Sequence, residues 1–221
     1  MTPKFAKAVD PVFMRVLGLL ERIERDRNLS PEEERVTIRS DLDAAERRLG
    51  QSEEWKLAKY GLVSWIDEVL IEAPWEKGRN WWKENSLEWV YFGTNSRFER
   101  FFEQAEEANK QPQKDALEVF YVCLVLGFRG LYRDPEQAPA LAGPLGIPTR
   151  IGDWASQKAK AIHGGDRPNI SEGHEPIDGA EPLEGPVMLI WSVLLALVLA
   201  AVTGFVAWMF CFPSSFGGPQ T

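Results

Sequence analysis

Apolar residues recur three and four positions apart along most of the first 162 residues, the spacing that gives an α-helix one buried face. The first such stripe is Val12, Val16, Leu19, Leu20 and Ile23. Asp10 followed by Pro11 predicts its start, because a proline at the first helical position loses no needed hydrogen bond. Ser30, Pro31 and Glu33 have the layout of a capping box; Ile38, Leu42, Ala45 and Leu49 follow at helical spacing, and Gly50 predicts the stop. A third helix is expected from Ser52 to Glu72, with Trp55, Ala58, Leu62, Trp65, Ile66 and Val69 on one face and Pro74 beyond its end. Its length and apolar content make it the expected central rod of a core. Trp75, Trp81, Trp82 and Trp89 crowd a shorter helical or irregular stretch that closes at Gly93. Ser96 to Lys110 and Asp115 to Phe128 predict two more helices. Pro135, Pro139, Pro144 and Pro148 then punctuate a loop, and Asp153 to Ile162 predicts one short helix. No stretch alternates with period two long enough to need a sheet. The run from Val119 to Leu126 could be a buried strand if judged alone, but its neighbours favour helix. The expected fold class is all-α.

The pattern changes at Val187. Every Lys, Arg, Asp and Glu lies before it, and Val187 to Phe212 is a run of 26 residues without a charge, fenced by Pro186 and Pro213. As a helix it would be about 39 Å long, enough to cross a hydrocarbon core of ~30 Å with some tilt. Trp191 and Trp208 sit near its two ends, where indole rings favour the headgroup layer. The segment is therefore expected to be a transmembrane helix over 187–212. Residues 164–186 hold nine Gly or Pro and six acidic residues against one Arg, the composition of a flexible tether with an r.m.s. reach of about 25 Å. The expected organisation is a helical domain over 1–163, a linker over 164–186, the span, and a short tail over 213–221. The tail carries no charge and is cheap to translocate, whereas Asp10, Pro11 and Arg15 interrupt any apolar region of a secretory signal. The expected topology has the N-terminal domain in the cytoplasm and the C-terminus outside.

Over the 221 residues the net charge is −8, with 44% hydrophobic and 26% charged content, which allows one real core. The acidic sum argues against nucleic acid or a polybasic lipid surface as the partner. Cys123 and Cys211 have no neighbours at metal or disulfide spacing and read as small buried hydrophobes. His163 and His174 stand alone, in or beside the tether. Phosphate loop, dinucleotide glycine pattern, nucleophile elbow and zinc pattern are all missing, so neither an enzyme nor a cofactor is expected.

The carboxylates that stand out are Asp67 and Glu68, set among Trp65, Ile66, Val69 and Leu70, where burial is costly without partners. Adjacent helical residues point about 100° apart, so the two make a poor acid and base pair. Two roles remain open: structural pairing, for example with Arg129 or Arg133, and partner docking. The six tryptophans from Trp55 to Trp89 suit either core packing or ring stacking with a ligand, and packing is the expected use. In the apolar segment Ala196, Ala200 and Gly204 repeat every fourth residue, a small-residue stripe on which a second membrane helix could pack closely, by self-association among other routes.

Two stretches resemble a known family. Leu62-Val63-Ser64-Trp65-Ile66-Asp67-Glu68-Val69-Leu70, then Pro74-Trp75, is similar to the "DE…W" stretch of the DotU/TssL family, also called IcmH/DotU. Leu117-Glu118-Val119-Phe120-Tyr121-Val122-Cys123-Leu124, continued by Leu126-Gly127-Phe128-Arg129-Gly130-Leu131-Tyr132-Arg133, resembles its "LE.yy.CL.lGF.G.YR" signature. Leu87, Phe92-Gly93-Thr94 and Phe101-Phe102 fall in a similar order, so the resemblance covers roughly Val9 to Ile162. Arg97-Phe98-Glu99 stands where the family usually has Gly-Glu, and Leu131 replaces a frequent basic residue. The resemblance implies a structural inner-membrane subunit of a type VI secretion system, with a cytoplasmic all-helical domain of two packed bundles. It also implies an IcmF/TssM-like partner in the membrane and docking of baseplate subunits, with Asp67 and Glu68 in or near the contact cleft. A stabilising subunit of a type IVB system is the alternative within the family. A membrane-tethered hydrolase is the alternative outside it.

Overall fold

In the computed structural model the described residues are 1–26, 28–164, 197 and 199–203. The chain divides into two compact units, Met1–Pro168 and Asn169–Thr221. The first is all-helical among the described residues, as the periodicity predicts.

Helix α1 runs Pro3–Arg25, capped by the Thr2 hydroxyl on the Phe5 N–H. It begins two turns before the expected start at Pro11, because Phe5, Ala8 and Val9 extend the buried stripe backwards. Pro11 therefore lies inside the helix, where the missing N–H should leave the Lys7 carbonyl without its donor. The Arg48 guanidinium fills that place at 2.7 Å. Helix α2, Pro31–Leu49, starts at Ser30, whose hydroxyl accepts the Glu33 N–H, and stops at Gly50 with φ 71°. Arg15 to Asp41 at 2.8 Å and a two-pronged Arg22 to Glu34 pair at 2.8 and 2.7 Å link the outer edges of α1 and α2.

Helix α3, Glu53–Glu72, capped by Ser52, is the central rod. Its burial is not confined to the expected stripe, since Gly61, Val63, Ser64, Asp67 and Glu68 are buried as well, while Val69 is only partly so. The Trp-rich stretch resolves into α4, Glu76–Glu84, and α5, Leu87–Phe92, the latter closed by Gly93 in the left-handed region. Helices α6, Arg97–Lys110, and α7, Asp115–Val125, pack on α3 and on each other. Gly61 makes the α3 to α7 approach possible: a Cβ there would stand 2.9 Å from the Phe120 ring. After α7 the chain turns into a short 3₁₀ segment, Gly130–Arg133, rather than continuing to Phe128 as helix. The proline-rich stretch expected to be loop contains α8, Ala138–Leu145; it has Pro139 in its first turn, where no donor is needed, and Gly146 after its end. The last helix is α9, Ile151–Ile162.

One continuous cluster of buried side chains runs from Phe5 to Trp154. Trp55, Trp65, Trp75 and Trp82 lie inside it, in agreement with packing as their expected use, whereas Trp89 is 58% exposed. At its centre Phe101 stacks on Phe128 at 3.8 Å, and Phe102 meets Tyr132 and Trp154 edge-on at 5.1 and 5.3 Å. Cys123 is buried there, and loss of solvent pushes its thiol pKa well up.

Among the described residues no helix is long and apolar enough to cross a membrane. The expected span over 187–212 lies outside the described residues except at 197 and 199–203, which are helical. The expected linker, from Gly165 onward, and the tail lie outside them entirely, as do Cys211 and His174.

Candidate functional site

Asp67 and Glu68 sit five and four residues before the end of α3, on a helix that other helices surround. Being adjacent, they point in different directions, and each finds the start of another chain segment.

Asp67 faces α4 and α5. Its Oδ1 accepts the Trp82 indole N–H and the Leu87 N–H, and its Oδ2 accepts the Glu88 N–H, all at 2.8 Å. Leu87 and Glu88 are the first two residues of α5, so their N–H groups have no partner within that helix. Asp67 thus caps α5 from another helix, beside the Ser86 hydroxyl that caps Trp89. The carboxylate is fully buried; desolvation raises its pKa to about 6, and the donors from Glu88, Leu87 and Trp82 resist the rise.

Glu88 repeats the device one step further. It is fully buried and accepts the Tyr60 hydroxyl, the Thr94 hydroxyl and the Ser96 N–H at 2.9 Å each, and the Arg97 N–H at 3.2 Å. It therefore ties the start of α6 to α5 and α3, with the Arg97 guanidinium at 3.6 Å as countercharge. Burial and the Glu88 charge together raise the Tyr60 hydroxyl pKa.

Glu68 turns toward the segment after α7. It accepts the Arg129 N–H at 2.7 Å and the Gly130 N–H at 3.1 Å, and the Arg133 guanidinium stands 3.4 Å away. Gly130 has φ +50°, and a Cβ there would meet Phe128 at 2.8 Å and the Phe98 carbonyl at 2.9 Å, so only glycine lets this turn close on Glu68.

Of the four residues expected to meet a partner, Asp67 and Glu68 are therefore 0% and 2% exposed and turned inward, while Arg129 and Arg133 lie at the surface. The structural pairing expected between Glu68 and Arg133 is present. Arg129 pairs differently: its backbone N–H serves Glu68, and its guanidinium donates to the Leu124 and Phe128 carbonyls at 3.1 and 3.0 Å. Arg133 also binds Glu72 at 2.5 Å, and its guanidinium lies 5.5 Å from the Phe98 ring. Phe98, Glu72, Arg129 and Arg133 thus surround the outer side of the Glu68 corner. Of the small-residue stripe, Ala200 is described, helical and exposed, with the nearby Thr203 hydroxyl bonded to the Leu199 and Ala200 carbonyls; Ala196 and Gly204 lie outside the described residues.

Glu88 escaped the sequence reading although it is the most connected carboxylate. Its signal was an acid between Leu87 and Trp89, two residues after a capping serine, in a stretch too apolar for an ordinary surface acid. His163 does not approach another ligand; its Nδ1 lies 2.8 Å from the Ala159 carbonyl. Among the described residues no group of three His, Cys, Asp or Glu could hold a metal ion.

The family model described as type VI secretion system protein DotU matches residues 6–209. No curated protein and no solved structure matches the chain.

Proposed function

Because the chain belongs to the family of the type VI secretion system protein DotU, we propose that it is a structural subunit of that system's membrane complex, anchored in the inner membrane by residues 187–212. The helical unit stays on the cytoplasmic side and docks baseplate subunits, and an IcmF/TssM-like protein is its neighbour in the bilayer. The Ala196, Ala200 and Gly204 stripe serves helix contacts there, including self-association. The observation that carries this reading is the extent of the family match, which runs from α1 to within the uncharged segment.

Docking uses the outer side of the Glu68 corner. Arg129 and Arg133 make the contact, with Phe98, 39% exposed, as the apolar element beside the Arg97 and Arg133 guanidinium groups. Glu68 acts by holding that corner in shape, and Asp67 by holding the start of α5. An enzyme reading is disfavoured by what these carboxylates do: their oxygens are taken up by helix starts, and they turn toward different segments.

Affinity purification of the full chain from membranes tests this. Arg129→Glu should keep the chain in the carbonate-resistant membrane fraction but reduce co-purified baseplate subunits at least tenfold. Undiminished co-purification would move the docking face elsewhere. Recovery of the wild-type chain in the soluble fraction would overturn the anchoring.

A further inference from the structure

The start of α1 and the end of α2 form a concavity of about 450 Å³ lined by Lys4, Lys7 and Arg48. Its lining contains no carboxylate among the described residues. Among the described residues none of the three cations has an acidic partner within 4.0 Å, although the whole chain carries 33 acidic residues against 25 basic ones. Elsewhere on the same two helices Arg15, Arg22 and Arg25 are each paired with an acid, and Arg35 and Arg39 lie over the Trp81 and Tyr91 rings.

Arg48 is also held in position. Pro11 leaves the Lys7 carbonyl without its helical donor, and one Arg48 nitrogen bonds that oxygen at 2.7 Å. The guanidinium is thereby fixed between the two helices, and its remaining N–H groups are available to a ligand. Such fixing lowers the ordering cost of binding an anion. Each of the three side chains that line the concavity has an apolar methylene stem and a charged end.

We propose that this concavity binds the phosphate of an anionic phospholipid headgroup, seating the helical unit on the bilayer surface. A phosphate diester takes the three cationic ends, and the glycerol portion lies on the methylene stems. The lipid is favoured over free phosphate by that mixed lining. It is favoured also by proximity, since the proposed anchor at 187–212 would keep anionic headgroups at high local concentration; in this respect the inference rests on the membrane reading above. The acidic total argued against a lipid surface, but a sum does not see three unpaired cations gathered at one place.

The test uses the full chain in neutral detergent. Native mass spectrometry and titration with short-chain phosphatidylglycerol, phosphatidylcholine and inorganic phosphate are compared for wild type and the double variant Lys4→Gln with Lys7→Gln. This variant leaves the Arg48 clamp untouched, and an unchanged melting curve certifies its fold. Phosphatidylglycerol should bind wild type in preference to phosphatidylcholine, and the double variant should bind it about thirtyfold more weakly, roughly fivefold per cation lost. Equal affinity for the two lipids, or an undiminished affinity in the variant, overturns the proposal. Displacement of the lipid by millimolar phosphate would identify a free-phosphate site instead and overturn the lipid assignment. Carbonate fractionation of the same chains separates this from the anchor: a firmly embedded wild type without lipid preference sinks only the headgroup site.

Discussion

Replacing Asp67 by Ala should be among the most damaging single changes in this domain. The substitution leaves three buried donors, the Trp82 indole and the Leu87 and Glu88 amides, without an acceptor where each now has one at 2.8 Å. An orphaned buried donor costs about 1–3 kcal/mol. Against this stands relief from burying a charge: a pKa near 6 against 3.8 corresponds to about 3 kcal/mol already spent in the native state. Three such donors cost about 3–9 kcal/mol and the relief returns about 3, a net loss of about 0–6 kcal/mol; the ~3–5 kcal/mol lost when buried charge networks are broken lies within it. Asp67→Asn keeps one oxygen for Trp82 and Leu87 but turns an NH₂ group toward the Glu88 N–H, so it should cost about 1–3 kcal/mol. Urea unfolding of the full chain in mild detergent, followed by tryptophan fluorescence, measures both. With a slope of about 2 kcal/mol/M, Asp67→Ala should lower the midpoint by roughly 2 M. Glu72→Ala, at a side chain 57% exposed and paired only at the surface, is the control and should shift it by less than about 0.3 M. If Asp67→Ala and Glu72→Ala unfold together, the carboxylate is not capping α5 in solution and the account of the acidic pair is wrong.

Between about pH 4 and pH 6 wild type should lose up to about 3 kcal/mol relative to Asp67→Asn, because a carboxyl whose folded pKa is raised favours the fold while protonated and loses that contribution as pH rises through about 6; parallel curves for the two proteins would contradict this. Arg48→Ala should cost about 1 kcal/mol in wild type but little beside Pro11→Ala, which restores a backbone N–H for the Lys7 carbonyl; a strictly additive double-mutant cycle would show that Arg48 does not fill the gap. Gly61→Ala should lower stability by about 1–3 kcal/mol, since its Cβ arrives 2.9 Å from Phe120 between two packed helices, and an unchanged thermal midpoint would argue against the close α3 to α7 approach.

What the sequence disclosed was what depends on near neighbours. Ser30 with Glu33, Gly50, Ser52 and Gly93 mark helix ends because caps act over a few residues, and these positions were read correctly. The family was legible as well, from the stretches around Asp67-Glu68 and Gly127-Phe128-Arg129-Gly130. Pro11 misled because its remedy lies on another helix, at Arg48. Burial on nearly every side of α3 was hidden for a related reason: a stripe shows which face meets one neighbour, whereas α3 meets α4, α5, α6 and α7. The acidic pair was legible as unusual but not in its role, because the donors it accepts from are 15 to 62 residues away. α8 was missed because its prolines read as breakers, whereas Pro139 lies in the first turn, where no donor is needed, and Pro144 is carried inside the last turn.

The carboxylates of Asp67, Glu68 and Glu88 also decide how the domain would yield under a pull. Each fastens the beginning of a segment, α5, the Gly130 turn and α6 respectively, and two of the three are rooted on a single helix. Tension applied at the Arg129 corner would load Glu68 and so pass straight into α3, instead of peeling away one peripheral helix after another. The bonds would have to rupture as a group, which favours a body that stays rigid up to a threshold and then gives way abruptly.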